Sequence, residues 1–406
     1  MTKSIPHIDR VRYESFGGIV SSSNPPFLAW VDRDFMRGLG YDTSPLWGKK
    51  RTYLSAPTEV HYAVTDRCGC ACSNCYMNAG KGESADLLAD QIKMHLSALR
   101  DMGVFHVALG GGEAFERSDF GDIVNYCREI GLVPNLTTSG QYTIGCREIE
   151  TCRMMGQVNV SLDGVGENYA VNGRRGSFEK AHDSIVALKN AGVAAGLNCV
   201  VSKRNFAMLE RVIQYAVAQK LNEVEFLKFK PSGRGKTDYD EYALTHDMIT
   251  SFYPLIEQFG KRYKIDLKID CSFIPAMVYH RPPLEDLERF GVMGCDGGNS
   301  LMAVKPDGRF CGCSFVDNDE PVGEIRARWD SSSHLNSFRM LEENAQAPCS
   351  ACEYLSICRC GCRATALYYT GDFFAPDPEC PFVFEARRAQ MKKSEPGQIS
   401  VGTRSS

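Results

Sequence analysis

The sequence predicts an α/β fold in which a partial (β/α)6 TIM barrel is followed by a cysteine-rich domain. From about residue 57, short β-rich segments alternate with amphipathic helical patterns, which is typical of a parallel sheet covered by helices. After about residue 265 the apolar periodicity fades, and Gly, Pro and Cys become frequent. Such a segment cannot build a large apolar core, so we expect metal ligation to hold it together.

Six β-rich segments carry the barrel prediction. They span residues 59–66, 104–109, 133–138, 157–163, 194–201 and 223–229. Helical patterns between them end in glycines such as Gly103 and Gly192, which suit a left-handed helix cap, and Ser177 is placed to begin a helix. Consecutive βα units build a parallel sheet. A barrel of eight units needs more chain than this region offers, so we expect a partial barrel.

The other segments suggest how the chain is divided. Residues 1–50 contain a hairpin-like element that is interrupted by Asn24-Pro25-Pro26. We expect an N-terminal extension over 1–56, the barrel over 57–265, the cysteine-rich domain over 266–385 and a polar, disordered tail over 386–406.

The composition excludes several classes of protein. A net charge of -4 gives no electrostatic basis for nucleic acid as the main partner. The charged N-terminus does not resemble a signal peptide, and no apolar run is long enough to cross a bilayer, so we expect a cytoplasmic protein without a membrane partner. In that reducing compartment, the 18 cysteines are expected to bind metal or perform chemistry rather than form disulfides.

One group of cysteines, Cys68-x3-Cys72-x2-Cys75, follows the first β-rich segment directly. Loops at the carboxyl ends of parallel strands host active sites. Three thiolates are one short of closing a four-iron cluster, so one iron is left open for another ligand. A zinc site would need a fourth ligand, and this loop contains no histidine. Cys70 offers a fourth thiol, although its close spacing makes simultaneous ligation awkward.

This loop, which is followed by the aromatic Tyr76, resembles the cluster motif of the radical S-adenosylmethionine (SAM) enzymes. In that family the open iron binds the amine and carboxylate of SAM, and an electron from the cluster cleaves SAM to methionine and a 5′-deoxyadenosyl radical. The resemblance extends from about residue 57 to 385 and implies SAM and a [4Fe-4S] cluster as cofactors. The protein orients them and shields the radical.

Other segments are similar to those with which this family contacts SAM. Gly111-Gly112-Glu113 matches a Gly-Gly-Glu motif whose bare backbone approaches the methionine amine. The resemblance implies cofactor contacts at Tyr76, Gly111, Gly112, Glu113, Ser139, Ser161, Asp163 and Arg174. Arg175 is the alternative to Arg174, and a solvated surface position is the alternative for both. The role of Lys230-Pro231 and of Gly233-Arg234-Gly235 is left open.

A second pattern of cysteines extends over the C-terminal region. It consists of Cys295-x12-Gly308-x4-Cys313, Cys349-x2-Cys352-x5-Cys358-x3-Cys362 and Cys380. This pattern resembles the SPASM extension of the radical SAM family, which holds two auxiliary [4Fe-4S] clusters. The resemblance implies one ligand set of Cys349, Cys352, Cys358 and Cys380, and a second of Cys295, Cys313 and Cys362.

The second ligand set has three members and needs a fourth. Cys271 is the best candidate, and an open iron or the extra Cys311 is the alternative; Cys360 is a second extra thiol inside a ligand loop. Zinc ribbons would need two Cys-x2-Cys pairs, and the C-terminal region has only one, Cys349-x2-Cys352. The remaining cysteines lie on helical or strand patterns and are expected in the core; they are Cys127, Cys146, Cys152 and Cys199.

Enzymes with this extension mostly modify peptides or proteins made on the ribosome. The resemblance therefore implies hydrogen abstraction from a peptide or protein substrate, followed by crosslinking, epimerisation, excision or oxidation. A reductant such as flavodoxin or ferredoxin is implied as a partner. We also expect a separate leader-recognition protein or direct substrate docking, because residues 1–50 are too short for a full winged-helix leader-binding domain.

Other functions compete with this interpretation. Sulfatase-type maturation is a sibling function, but Ser314 stands where such relatives carry an aspartate. Small metabolites and haem precursors are alternative substrates. A non-enzymatic Fe–S electron carrier is the interpretation from a different class, and a carrier has no use for Gly111-Gly112-Glu113. The sequence does not identify a catalytic base or hydrogen donor.

Overall fold

A computed structural model describes residues 7–24, 26–80, 86–318, 320–321 and 323–394. The strands are β1 (Arg10–Glu14), β2 (Gly17–Ser23), β3 (Pro26–Asp32), β4 (Glu59–Thr65), β5 (His106–Gly111), β6 (Val133–Thr138), β7 (Val158–Ser161), β8 (Ala195–Val201), β9 (Glu223–Lys228), β10 (Asp266–Ile269), β11 (Leu301–Val304) and β12 (Phe310–Cys311). The α-helices are α1 (Arg33–Gly38), α2 (Ala89–Met102), α3 (Phe120–Glu129), α4 (Cys146–Arg153), α5 (Phe178–Asn190), α6 (Leu209–Ala218), α7 (Tyr239–Tyr242), α8 (His246–Arg262), α9 (Ile274–Val278), α10 (Leu284–Arg289), α11 (Ile325–Ser331), α12 (Ser333–Arg339), α13 (Leu355–Cys358), α14 (Arg363–Thr370) and α15 (Pro381–Ser394).

The six predicted β-rich segments form β4 to β9, which are neighbours in sequence order and pair in parallel. This confirms the partial (β/α)6 barrel. The full sheet has the order β10-β9-β8-β7-β6-β5-β4-β11-β12. Strand β10 extends it in parallel beyond β9, and β11 pairs in parallel with β4. The segments after residue 265 therefore complete both edges of the sheet, although their weak apolar periodicity did not predict strands there.

The two faces of the barrel sheet differ in polarity. On the outer face, Val60 and Val64 of β4 pack with Ile92 and Leu96 of α2 in the main apolar core. Burial of each such side chain stabilises the fold by about 1.5–3 kcal/mol.

The inner face carries hydrogen-bonded polar side chains. Asn159 Nδ2 donates to Asn198 Oδ1 at 2.8 Å and to Glu223 Oε1 at 3.1 Å. Lys268 Nζ donates to Glu223 Oε2 at 2.6 Å. The inside of the barrel is therefore lined, at these positions, by buried polar side chains that satisfy one another.

The helix ends predicted at Ser177, Gly103 and Gly192 are observed. Ser177 caps α5, and its hydroxyl accepts a hydrogen bond from Lys180 N at 3.2 Å. Gly103 ends α2 at a φ of 97°, and Gly192 follows α5 at a φ of 72°. Within the described ranges, none of the helices combines the length and apolarity needed to span a membrane.

The N-terminal extension forms a small sheet of its own. Strands β1, β2 and β3 pair antiparallel in that order, so the expected hairpin has a third strand. Pro25, in the expected interruption between β2 and β3, lies outside the described residues. Buried Arg12 joins this sheet to the barrel, because its Nη1 donates to Pro57 O at 2.8 Å and Gly103 O at 3.0 Å.

The cysteine-rich region is built from short helices and small apolar clusters. Three of these clusters contain cysteines, for example Cys295 with Cys362, and Cys349 with Cys380. The prediction of a disordered tail from residue 386 is wrong for residues 386–394, because α15 continues to Ser394. Residues 395–406 lie outside the described part of the chain.

Candidate active site

The three-cysteine loop lies where β4 ends, at the carboxyl edge of the parallel sheet. Cys68, Cys72 and Cys75 are partly exposed. The neighbouring Cys70 thiol lowers the pKa of Cys68 and of Cys72, and its own pKa is raised. Because iron binds the thiolate, this environment favours the form of Cys68 and Cys72 that the predicted ligand role requires.

The Gly233-Arg234 pair holds this loop from the end of β9. Arg234 donates from its backbone N to Cys75 O at 2.9 Å and from Nε to Cys72 O at 2.7 Å. Gly233 has a φ of +54°, and a Cβ there would lie 2.4 Å from the carbonyl oxygens of both Cys75 and Tyr76. Glycine is therefore required for this close approach. The structure thus gives the motif left open by the sequence a positioning role.

Two other segments fix the loop from its opposite sides. Gly69 N donates to Glu116 Oε1 at 2.7 Å. The backbone N of Arg175 donates to Cys72 Sγ at 3.2 Å, and this bond also favours the thiolate of Cys72. Arg175, the alternative for a SAM contact, therefore approaches the loop through its backbone.

The Gly111-Gly112 pair brings the end of β5 against the cysteine loop. Gly111 has a φ of +125°, and a Cβ there would lie 2.3 Å from Thr65 O. A Cβ on Gly112 would lie 2.0 Å from Arg67 O. The close backbone approach that the sequence suggested toward a ligand is observed toward the start of the cysteine loop.

Glu113 links the ends of β5 and β6. It is 2% exposed and accepts hydrogen bonds from Thr138 Oγ1 at 2.9 Å and from Ser139 N and Oγ at 2.9 and 2.6 Å. Burial raises the pKa of Glu113. Ser139 Oγ also lies 4.0 Å from Cys70 Sγ. Glu113 therefore fixes Ser139 beside the thiols of the loop.

Asp163 and Arg174 form a buried ion pair on another side of the loop. Arg174 Nη2 lies 3.3 Å from Asp163 Oδ2, and Asp163 Oδ1 accepts a hydrogen bond from Val200 N at 2.9 Å. Arg174 also interacts electrostatically with Cys72. Among the described residues, its buried Nε has no hydrogen-bond partner. A buried cation with an unused donor suits an anionic ligand such as a carboxylate.

Two further predicted SAM contacts are Ser161 and Tyr76. Ser161 ends β7, is partly exposed and pairs in register with Asn198. Tyr76 follows the loop, and its ring packs on Phe315 with centroids 4.9 Å apart. Burial raises the pKa of Tyr76, so the phenol is neutral. Phe315 connects the cysteine loop to the C-terminal region.

The structure brings Cys271 to the incomplete ligand set of the C-terminal region. Burial, and after it the charges of Asp270 and Cys295, raise the pKa of Cys271, which also interacts with Cys313. Cys362 in turn interacts with Cys295 and Cys313. Cys271, Cys295, Cys313 and Cys362 are thus neighbours, and we call them the first thiol group. Their role as ligands stays a prediction.

The other predicted set is found together with one extra thiol. Cys349 is hydrogen-bonded to Cys360, and Cys358 interacts with Cys352, Cys360 and Cys380. We call Cys349, Cys352, Cys358, Cys360 and Cys380 the second thiol group. It contains one thiol more than a four-iron cluster requires, which is the surplus that the sequence indicated at Cys360.

The donor chemistry fits iron–sulfur clusters. All 18 cysteines are free thiols. In the described ranges, no three His, Cys, Asp or Glu side chains are arranged to hold a metal ion between them. Thiolates around a four-iron cluster stand farther apart than ligands of one ion, because iron and sulfide lie between them. Of the cysteines expected in the core, Cys127, Cys152 and Cys199 are buried, but the prediction is wrong for Cys146, which is exposed at the start of α4.

Two features of the site were not found by sequence reasoning. His61 on β4 lies 3.1 Å from Ser314 Oγ through Nδ1, which joins the barrel to the loop of Cys313. Glu225 lies on the inner face of β9, beside Asn198 and Lys268 in the sheet register. The alternation of polar residues in these strands was visible, but only the strand order shows which of them meet.

The fold and the cysteine loop together define a radical SAM enzyme. Residues 62–216 match the profile described as "Radical SAM superfamily", so the chain contains a radical SAM domain. Such a domain implies SAM and a four-iron cluster as cofactors.

Curated relatives align over most of the chain. Mycofactocin maturase MftC of Mycolicibacterium smegmatis is 29% identical over 367 residues, which cover 86% of this chain and 90% of the relative. An AdoMet-dependent heme synthase of Methanosarcina barkeri is 27% identical over 353 residues, covering 80% and 97%. A PqqA peptide cyclase of Rhizobium meliloti is 24% identical over 338 residues, covering 80% and 87%.

A solved structure matches both the barrel and the cysteine-rich region. Streptococcus suis SuiB bound to precursor peptide SuiA aligns with a TM-score of 0.74 at 16% identity, covering 91% of this chain and 98% of SuiB. At this identity the likeness concerns the fold. It confirms the predicted architecture of a partial barrel followed by a cysteine-rich domain.

Proposed function

We propose that this enzyme uses the 5′-deoxyadenosyl radical to abstract hydrogen from a ribosomally made peptide, which is then crosslinked, epimerised, excised or oxidised. The observation that carries the proposal is the three-cysteine loop at the carboxyl edge of the barrel, beside the buried cation of Arg174. The inner face of the barrel is polar as well, at Asn159, Asn198 and Glu223, which lie farther toward the amino ends of the strands.

In this proposal Cys68, Cys72 and Cys75 hold a four-iron cluster with one iron left for SAM. When bound and reduced, the cluster supplies the electron that cleaves SAM. The Nε of Arg174 is available to the SAM carboxylate, and Glu113 keeps Ser139 in place at the neighbouring strand end. The other proposed cofactor contacts are Tyr76, Gly111, Gly112, Ser161 and Asp163.

We further propose two auxiliary [4Fe-4S] clusters. Cys271 completes the first thiol group as the fourth ligand, and its proximity to Cys295 and Cys313 supports this choice over Cys311 or an open iron. Cys349, Cys352, Cys358 and Cys380 hold the other cluster. The domain boundaries that accompany this assignment are 1–56, 57–265 and 266–385.

A peptide substrate is supported by the names of two relatives, a maturase and a peptide cyclase. A haem precursor is the second candidate, because a heme synthase aligns over 97% of its own length. Sulfatase-type maturation is disfavoured by Ser314, whose hydroxyl lies against His61. The proposed partners are a separate leader-recognition protein and a flavodoxin- or ferredoxin-type reductant.

The radical step is tested with reconstituted, reduced protein and SAM under anaerobic conditions. We expect 5′-deoxyadenosine from the parent and its loss in Cys72→Ala, with the iron of the C-terminal region retained. Cys146→Ala is the matched control, because this cysteine is exposed and belongs to neither thiol group. Cleavage that survives Cys72→Ala would refute the assignment of the loop.

The substrate is tested separately by co-expression with short peptides encoded beside the gene, followed by mass spectrometry. A mass change that depends on Cys72 supports the peptide proposal. Turnover of a haem precursor, together with unchanged peptides, would replace it by the second candidate.

A further inference from the structure

Lys230 lies between the cysteine loop and the first thiol group. Its Nζ lies 4.5 Å from the ring centroid of Phe315, and Phe315 packs on Tyr76 at 4.9 Å. On its other side, the Lys230 ammonium interacts electrostatically with Cys271 and Cys362. One cation thus borders the first thiol group and is connected through Phe315 and Tyr76 to the cysteine loop.

The same cation is paired with an anion that also borders the first thiol group. Lys230 is 7% exposed, and its Nζ is ion-paired and hydrogen-bonded to Asp270 Oδ2. Asp270 directly precedes Cys271, and its Oδ1 accepts hydrogen bonds from Ser272 N at 3.1 Å and Oγ at 2.5 Å. A positive and a negative charge are therefore fixed beside one set of thiols, away from bulk water.

We propose that the opposite charges of Lys230 and Asp270 set the reduction potential of the cluster held by the first thiol group. The inference rests on the proposed function, because it requires that cluster. Reduction adds one electron and one negative charge. A nearby cation stabilises the reduced form and a nearby anion destabilises it, and burial strengthens both effects.

Lys228 is less suited to this role. It also interacts with Cys362, but it is paired with two carboxylates, Glu379 at 2.8 Å and Asp377 at 3.7 Å. Its charge is therefore already balanced by the segment that carries the second thiol group. Among the described residues, Lys230 is paired with one carboxylate, that of Asp270, so removal of either member leaves an unbalanced charge beside Cys271.

The test is a redox titration of the fully loaded enzyme followed by EPR spectroscopy. We expect Lys230→Met to lower the potential of one auxiliary cluster and Asp270→Asn to raise it. The double variant is expected to return toward the parent, and Lys230→Arg, which keeps the charge, to remain close to it. Lys261→Met is the matched control, because Lys261 pairs with Glu257 on the exposed face of α8.

Iron content of each variant separates a changed potential from a lost cluster. If Lys230→Met does not load, Asp270→Asn carries the test, and an unchanged potential in loaded Asp270→Asn would overturn the proposal. Potentials that stay unchanged in loaded Lys230→Met, or that shift in the same direction in Lys230→Met and Asp270→Asn, would overturn the proposal. Formation of 5′-deoxyadenosine is measured in parallel. If the parent forms no 5′-deoxyadenosine, the proposed function is refuted. The shifts of potential are measured without any peptide, so they test the role of the two charges separately.

Discussion

At the scale of single residues, glycines determine how closely the backbone segments around the cysteine loop approach one another. The tightest approaches are those of Gly111, Gly112 and Gly233, where a Cβ would lie 2.0–2.4 Å from a carbonyl oxygen. Backbone atoms cannot move aside as a side chain can. Substitution there must displace the loop that carries the thiols.

Gly233→Ala is therefore expected to destabilise the protein by about 1–3 kcal/mol and to lower the iron bound at Cys68, Cys72 and Cys75. Iron analysis and anaerobic denaturant unfolding measure the two effects. Gly260→Ala is the control, because this glycine lies within α8 and, in the described ranges, a Cβ there would meet nothing within 4 Å. A Gly233→Ala variant with the parent's iron content and stability would contradict this account.

Glu225 is a residue whose protonation should affect stability. Burial, and after it the charges of Asp270 and Glu223, raise its pKa from 4.5 to about 7, while Lys268 acts in the opposite direction. Glu59 on β4 is a further acidic neighbour. The folded protein therefore keeps a proton that the unfolded chain releases between these two values.

Because the folded pKa is raised, this contribution to the free energy of unfolding is complete below about pH 4.5 and is lost as the pH rises to about 7. Glu225→Gln cannot lose it. The free energy of unfolding of the variant minus that of the parent should therefore increase between pH 5 and pH 8, by at most about 3 kcal/mol. Denaturant unfolding at both values measures the difference. A difference that does not vary with pH would show that Glu225 is ionised throughout.

At the scale of elements, the turn after β9 acts on the cysteine loop as a clamp. Besides Cys72 and Cys75, Arg234 bonds Ala79 O through Nη1 at 2.7 Å. One side chain and its backbone thus satisfy three carbonyls of a loop that lacks regular structure. Since buried carbonyls require partners, the loop depends on this clamp for its shape.

We expect Arg234→Ala to lose the iron of the SAM-binding cluster and to retain the iron of the two C-terminal thiol groups. Arg234→Lys keeps the charge but not the planar group of donors, so its loss should be intermediate. Iron content and EPR spectra distinguish the clusters. Arg153→Ala, which removes an exposed partner of Glu150 on α4, should behave as the parent does. Equal loss of all clusters in Arg234→Ala would indicate general unfolding instead of a clamp.

At the scale of the whole molecule, the sequence predicted the strands that pair with their neighbours along the chain. The alternation from Glu59 to Lys228 was sufficient to place β4 to β9, because each strand pairs with its neighbour in sequence. Strand β11 was missed, since it has four residues and pairs with β4 across more than 200 positions, Leu301 with Glu59. The contact between Arg234 and Cys72 was missed for the same reason, because spacing along the chain does not show which loops meet.

The barrel and the cysteine-rich region are joined by a buried ionic cluster. Lys228 on β9 has a side chain that is 5% exposed and pairs with Glu379 and Asp377. Tyr239 adds a hydrogen bond from its hydroxyl to Glu379 Oε1 at 2.6 Å. Glu379 directly precedes Cys380 of the second thiol group, so the cluster couples the barrel to that group.

Removal of one member of a buried ion pair leaves the other charge without compensation, which costs about 3–5 kcal/mol. Lys228→Met is therefore expected to destabilise the loaded protein by that amount in denaturant unfolding. Lys228→Met combined with Glu379→Gln should recover part of the loss, because only Asp377 then stays unpaired. Lys261→Met, at an exposed pair, should change stability by less than about 1 kcal/mol. If Lys228→Met costs no more than this control, the two parts of the molecule are held together by apolar packing and by the clusters instead of by this ionic contact.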